Sequence, residues 1–166
     1  AFDAARRGAP EAGELLRQLA AADSTPSVAR ATSLEELGPY LTEATVPAFT
    51  TALEDPDPLV RLGALRGLRL LPPQAAWQLA SPLLDDPVRG VRIEAAGLLA
   101  DVPAARLAPA DRERRDRAAA DYVAAQRLDA DRPGGRTNLA NFLARRGQPA
   151  EAEQAYQGAI KLAPDF

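Results

Sequence analysis

The chain is predicted to be all-α, an α-solenoid of antiparallel helix pairs, and three observations predict it. Aromatics make up only 5% of 166 residues while Ala and Leu dominate, so the core is expected from many small helix contacts instead of a few large rings. The 15 prolines gather where helices would begin or end, as in DPDP, LLPP and DDP. Stretches of sequence also recur at fixed spacing, and a single helix pair that cannot bury both faces must stack on neighbours.

The first recurrence has an offset of 31. DPDPLVRLGALRGL (55–68) superposes on DDPVRGVRIEAAGLL (85–99), matching Asp55 with Asp86, Pro56 with Pro87, Val60 with Val91, Arg61 with Arg92, Leu62 with Ile93 and Ala64 with Ala95. One step farther back lie Ala29, Arg30 and Ala31 after DSTPS, which makes three units, the first the most degenerate.

Each unit reads as two helices. In the second, VPAFTTALE (46–54) aligns Val46, Phe49 and Leu53 on one face, the DPDP turn comes next, and Val60, Ala64, Leu65 and Leu68 form the next apolar stripe. In the third, Trp77, Leu79 or Ala80, and Leu83 or Leu84 precede Val91, Ala95 and Leu98. Asp57 before Pro58 and Asp86 before Pro87 fit a carboxylate cap followed by proline at the first helical position, where its missing N–H costs nothing.

These motifs resemble the HEAT-repeat family, through Asp55-Pro56…Val60-Arg61 and Asp86-Pro87…Val91-Arg92. The resemblance implies a ladder of hydrogen bonds between successive repeats, carried by Asp55, Arg61, Asp86 and Arg92. Arg30 matches as well, with Asp23 as its acid one residue farther away. An arginine row that binds an anion is the functional alternative, set against charge-assisted pairs with local aspartates.

After Pro103 the period becomes 34. PGGRTNLANFLARRGQPAEAEQAYQGAIKLAPDF (133–166) resembles a tetratricopeptide repeat: Leu139, Ala140 and Leu143 on a first helix, Gly147 at the turn, Ala152, Tyr156 and Ala159 as the stripe of a second, and Pro164 ending it. Arg136, Ala140 and Leu143 replace the usual Trp, Gly and Tyr. Shifting by 34 maps Ala152, Tyr156, Ala159 and Leu162 onto Ala118, Tyr122, Ala125 and Leu128, so a helix over roughly 110–129 is expected to bridge the two arrays. The predicted organisation is HEAT-like repeats over 1–104, a bridging helix within 105–132 resembling the second helix of a tetratricopeptide repeat, and one complete unit over 133–166. Ala155, Ile160 and Phe166 fall on the outer side of the last helix, where a second molecule or a next repeat is expected.

Several chemistries lack their residues. The chain has no Cys and no His, which excludes disulfides, thiolate nucleophiles, imidazole bases and Cys/His zinc sites within it. Ser24, Ser27, Ser33 and Ser81 lie in no G-x-S-x-G turn, Gly63 and Gly67 flank a helical stripe, and Gly134-Gly135 is not followed by Lys-Ser/Thr, so neither a hydrolase nor a phosphate cradle is indicated. The acidic groups Glu54, Asp55, Asp57 and Asp85, Asp86 read as turn and cap residues, lacking the EF-hand glycine and distal glutamate. Trp77 reads as core instead of a stacking platform.

Net charge is −3, and Lys161 is the one lysine among 20 basic residues. A nucleic-acid partner is disfavoured without a basic stripe, and DRERRDR (111–117) reads as a solvated face with local ion pairs. No apolar run approaches the roughly 18 residues of a membrane span. No signal peptide is read at the start. The chain begins with Ala and contains no Met, which suggests a segment of something longer or processed.

FDAARRG, the DPLVRLGALRGL and IEAAGLL blocks, DYVAAQRLDADRP and the tetratricopeptide unit together resemble the C-terminal part of bacterial multihaem cytochrome c-like proteins with HEAT-like and tetratricopeptide repeats. That resemblance implies an exported, periplasmic parent whose haems sit upstream, with no cofactor in this segment. The expected role is a non-catalytic scaffold for a protein or peptide partner or a neighbouring domain of the same parent. The alternative is an accessory part of an electron-transfer protein. Arg136, Asn138 and Asn141 are the candidate partner-binding residues, from the carboxylate clamps of tetratricopeptide domains, and self-association through the C-terminal helix is the further option.

Overall fold

The computed structural model describes residues 1–163; Pro164 and Phe166, assigned above to the end and outer side of the last helix, lie outside the described residues. Among the described residues there are ten α-helices and no strand: α1 (Phe2–Arg6), α2 (Ala12–Ala21), α3 (Ser27–Leu37), α4 (Val46–Leu53), α5 (Pro58–Gly67), α6 (Pro73–Ala80), α7 (Arg89–Leu98), α8 (Pro109–Leu128), α9 (Pro133–Arg145) and α10 (Pro149–Leu162). The architecture is an all-α solenoid built from helices that pack on their neighbours in sequence. Five helices begin on proline, at Pro58, Pro73, Pro109, Pro133 and Pro149, which is why a proline-rich chain can still be mostly helical.

Two compact units divide the chain, Ala1–Leu83 and the part from Leu84 onward. In the first, α2 pairs with α3 and α4 with α5, and α3 lies along α5. Phe49, Leu53, Val60, Ala64, Leu65 and Leu68 are buried as the apolar spacing of 46–68 requires, Val46 at the start of α4 is only half-buried, and Leu34 and Leu37 of α3 are buried as well. The approach of α3 to α5 is set by glycine. A Cβ on Gly63 would fall on the backbone of Ala31, one on Gly67 on the Leu34 carbonyl and the Phe49 ring, and one on Gly38 on the Gly67 carbonyl. Because residue numbers rise together along this seam, the two helices run parallel. On α6 the inner positions go to Ala76 and Ala80, with Leu83 and Leu84 buried just beyond. Trp77 is half-buried and not a core residue, because its wide ring sits one position around the helix from that narrow alanine face.

In the second unit α7 packs on α8, α8 on α9, and α9 on α10. Val91, Ala95 and Leu99 are buried, while Leu98 is only half-buried. The inner position passes to Leu99 because α7 ends at Leu98 and the next turn carries Leu99, Ala100 and Val102 inward. Between α8 and α9 the rings of Tyr122 and Phe142 stack at 3.9 Å between centroids and 16° between planes, with the Arg146 guanidinium 5.6 Å from the Phe142 centroid. The α9–α10 hairpin closes through Gly147 at φ +76°, where the Gly147 N–H donates to the Ala144 carbonyl and the Gln148 N–H to that of Leu143.

Ala140, Ala152 and Ala159 are buried in this hairpin. Tyr156, placed by spacing in the same stripe, instead sits at the edge: it is 36% exposed, with its hydroxyl donating to Asn141 Oδ1 at 2.5 Å. Alanines bring α9 and α10 too close for a phenol ring between them, so the ring swings outward to an amide acceptor.

The cap expectation holds at one of its two places. The Asp57 carboxylate accepts from the Leu59 N–H at 2.9 Å at the start of α5. Asp86 does not cap α7, which begins only at Arg89; its carboxylate accepts from the Val88 N–H at 2.8 Å and makes a turn ahead of the helix. Pro87 therefore lies in that turn and not at the first helical position.

Candidate functional site

The residues singled out by sequence fall into two groups, an arginine–aspartate set on the helices from α3 to α8 and a polar set on α9. In the first unit Asp55 is a node. Its Oδ1 accepts from the Asp57 N–H at 2.9 Å, and its Oδ2 accepts from Arg30 Nη2 at 2.6 Å. Arg30 donates a second bond, from Nε to the Ala20 carbonyl at 3.0 Å, and so ties the end of α2 to the turn before α5. Its acid is Asp55 and not Asp23. Arg61, almost fully buried, donates from Nη1 to the carbonyls of Asp55 at 2.7 Å and Pro56 at 3.1 Å.

The second unit repeats this geometry 31 residues on. Arg92 Nη1 donates to the carbonyls of Asp86 at 2.8 Å and Pro87 at 3.4 Å, as Arg61 does to Asp55 and Pro56. Its Nε reaches forward to Asp121 Oδ2 on α8 at 2.8 Å, and Arg89 approaches the other oxygen of that carboxylate at 3.2 Å. These arginines hold the Asp121 carboxyl below the usual carboxylate range, the Arg92 hydrogen bond being the main cause. Asp57 is lowered too, first by the Ser27 hydroxyl and then by the Leu59 N–H.

The sequence model of the HEAT-repeat family matches residues 13–100, more than half of the chain, from within α2 to the turn after α7. The chain belongs to the HEAT-repeat family. Comparisons with curated proteins and with solved structures return no match.

Within the HEAT repeats, the guanidiniums of Arg30 and Arg92 are engaged by carboxylates and carbonyls of neighbouring elements, an arrangement that joins helices. Asp121 was not legible in the sequence. It lies in the middle of α8, off the 31-residue register, and only the packing of α8 on α7 brings it to Arg92. A second unanticipated residue is Arg115, 4% exposed on α8 within the run read as a solvated face. Its Nη2 donates to the Ala100 carbonyl at 3.0 Å, just past the end of α7, while Arg145 Nη2 approaches the Leu98 carbonyl at 3.4 Å and pairs with Asp101. Two arginines thus complement the carbonyl end of α7. Burial pulls the Arg115 pKa down, with the nearby Arg146 adding to the effect. Of the local ion pairs expected in the run, Arg114–Asp111 forms at 3.1 Å, whereas Arg114 and Arg117 also reach outside the run to Asp85, at 2.8 and 3.2 Å.

On α9 the three candidate binding residues do not converge. Arg136 donates from Nε to the Ala130 carbonyl at 2.7 Å and lies against Gly158 of α10. Asn138 and Asn141 are exposed one turn apart on another side of the helix, and Asn141 is engaged by Tyr156. A cleft of about 290 Å³ opens in the first unit, lined by Ala20, Pro47, Ala48 and Ala52 together with Asp23 and Arg30. Among the described residues no group of His, Cys, Asp or Glu is placed to hold a metal ion, and no helix is long and apolar enough to cross a membrane.

Proposed function

We propose that this HEAT-repeat chain is a non-catalytic scaffold that holds a protein or peptide partner, or positions a neighbouring domain, through the surfaces of its stacked helices. One observation carries the reading. In the first unit Arg30 and Asp55 are used to join helices, while Val28 and Leu59, at corresponding positions in the first turns of the parallel helices α3 and α5, are left exposed to solvent. Apolar side chains repeated along neighbouring helices suit an extended partner better than a small substrate.

The test is capture of partners by immobilised chain, comparing wild type with Val28→Glu and Leu59→Glu, both at exposed positions and each required to show an unchanged circular dichroism spectrum. Loss of a captured protein with these changes supports the reading. Capture that survives disruption of every exposed helix surface overturns it.

We further read α9–α10 as a tetratricopeptide unit preceded by α8. The buried pair at 34-residue spacing, Ala118 with Ala152, and the Gly147 turn support that reading. The periplasmic, haem-bearing parent rests on sequence resemblance alone.

A further inference from the structure

The outer side of α10 carries apolar and charged side chains that the described residues leave exposed. Ile160 is 59% exposed and Tyr156 lies beside it, one turn back, over a groove of about 250 Å³ lined by Thr137, Tyr156, Ala159, Ile160 and Ala163. Glu153, Gln157 and Lys161 form an exposed i, i+4 row flanking this strip. The Glu153 carboxylate accepts from Gln157 Nε2 at 3.1 Å, and the Lys161 ammonium forms no ion pair among the described residues. Eight residues separate Glu153 from Lys161, about 12 Å of helix, so they cannot neutralise each other within one chain.

That row is complementary to itself under a twofold axis. If two α10 helices meet antiparallel with the axis at Gln157, Lys161 of one copy stands level with the partner's Glu153, at about 6 Å along the helix from the centre on each side. Ile160 then lies about 3 Å along the axis from the partner's Tyr156, and the groove beside Tyr156 receives it. Every contact occurs twice, as an isologous interface requires.

We propose that α10 is a self-association surface through which two copies of this chain pair antiparallel about Gln157, each Ile160 against the partner's Tyr156 and each Lys161 against the partner's Glu153. This goes beyond the scaffold reading, since the occupant is a second copy and the surface is not that of α3 and α5. A single helix pair buries less than the roughly 1,600 Å² of a standard interface, so the dimer is a weak one, seen at high protein concentration.

Sedimentation of the whole chain over a wide concentration range tests it. The weight-average mass is expected to climb from 17.6 kDa toward twice that value. Ile160→Glu, at an exposed position, should hold it at the monomer mass with helix content unchanged. Glu153→Lys or Lys161→Glu alone should weaken association roughly tenfold, since each change places two like-charge contacts in the interface. The double charge swap should restore it. A chain that stays monomeric throughout overturns the proposal, as does association untouched by Ile160→Glu. Failure of the double swap to recover what either single change loses overturns the antiparallel register. Neither result bears on capture through Val28 and Leu59, so the two readings fail separately.

Discussion

Arg92 donates from Nε to Asp121 Oδ2 at 2.8 Å while its Nη1 holds the Asp86 carbonyl, so one guanidinium fastens the turn before α7 to the middle of α8. Both side chains of the Arg92–Asp121 pair are about a quarter exposed, which screens the interaction. In a double-mutant cycle of Arg92→Ala and Asp121→Ala by urea denaturation, the coupling is expected at about 1 kcal/mol or somewhat less. Additive single effects would show that the pair contributes no net stability.

Acid should act through the same carboxylate. The folded-state pKa of Asp121 is lowered, so its stabilisation is fully present above the unfolded value near 3.8 and is lost as pH falls through the folded value. Glu14, held to about 2 by Arg17, shifts in the same direction from an exposed position. With no His in the chain, no side chain of ordinary pKa titrates between pH 5 and 8. The melting temperature should therefore be flat over that range and drop below about pH 4, with a shallower acid limb in Asp121→Asn. An equally steep limb in that variant would remove Asp121 from the account.

Glycine to alanine should have opposite signs at two helical sites. Gly63→Ala drives a methyl into the Ala31 backbone, which no rotamer change relieves, and should cost about 1–3 kcal/mol despite the helix-propensity gain. Gly90 in the first turn of α7 faces open space, and Gly90→Ala should stabilise by up to about 1 kcal/mol. Thermal melts of the two variants decide it.

Phe142, fully enclosed against Tyr122, should be the costliest truncation on α9. Phe142→Ala is expected to lose about 3–5 kcal/mol by denaturant titration, and the reverse error, Ala152→Leu between α9 and α10, about 1–3 kcal/mol from overpacking. Unchanged stability in Ala152→Leu would remove Ala152 from the inner face.

How far these features were legible depended on what encodes them. Helices α4 and α5 are evident from apolar spacing, because Phe49, Val60, Ala64, Leu65 and Leu68 bury one face each and nothing competes for it. The 31-residue offset carries Arg61 onto Arg92, whose Nη1 groups make the same backbone bonds. Where sequence falls short, the deciding partner is distant. Arg115 looks like any arginine in a charged run until the end of α7 offers it a carbonyl, and Asp121 belongs to no repeat register. Phe142 escapes the spacing argument because its ring is recruited by Tyr122, 20 residues away on another helix. Asp86 shows the limit of a local motif: Asp-Pro specifies a turn, and whether a helix starts there or two residues later depends on the residues beyond it.

The glycine seam between α3 and α5 has a mechanical meaning. Where main chain meets main chain, no layer of side chains is left to slide or compress, so that line is the part of the first unit least able to yield. On the other side of the first unit, α2 and α4 are separated by an alanine-lined cleft with room to narrow or widen. Arg30 spans one end of that cleft through its bonds to the Ala20 carbonyl and Asp55, and a side chain that filled the remaining space would stiffen the unit further.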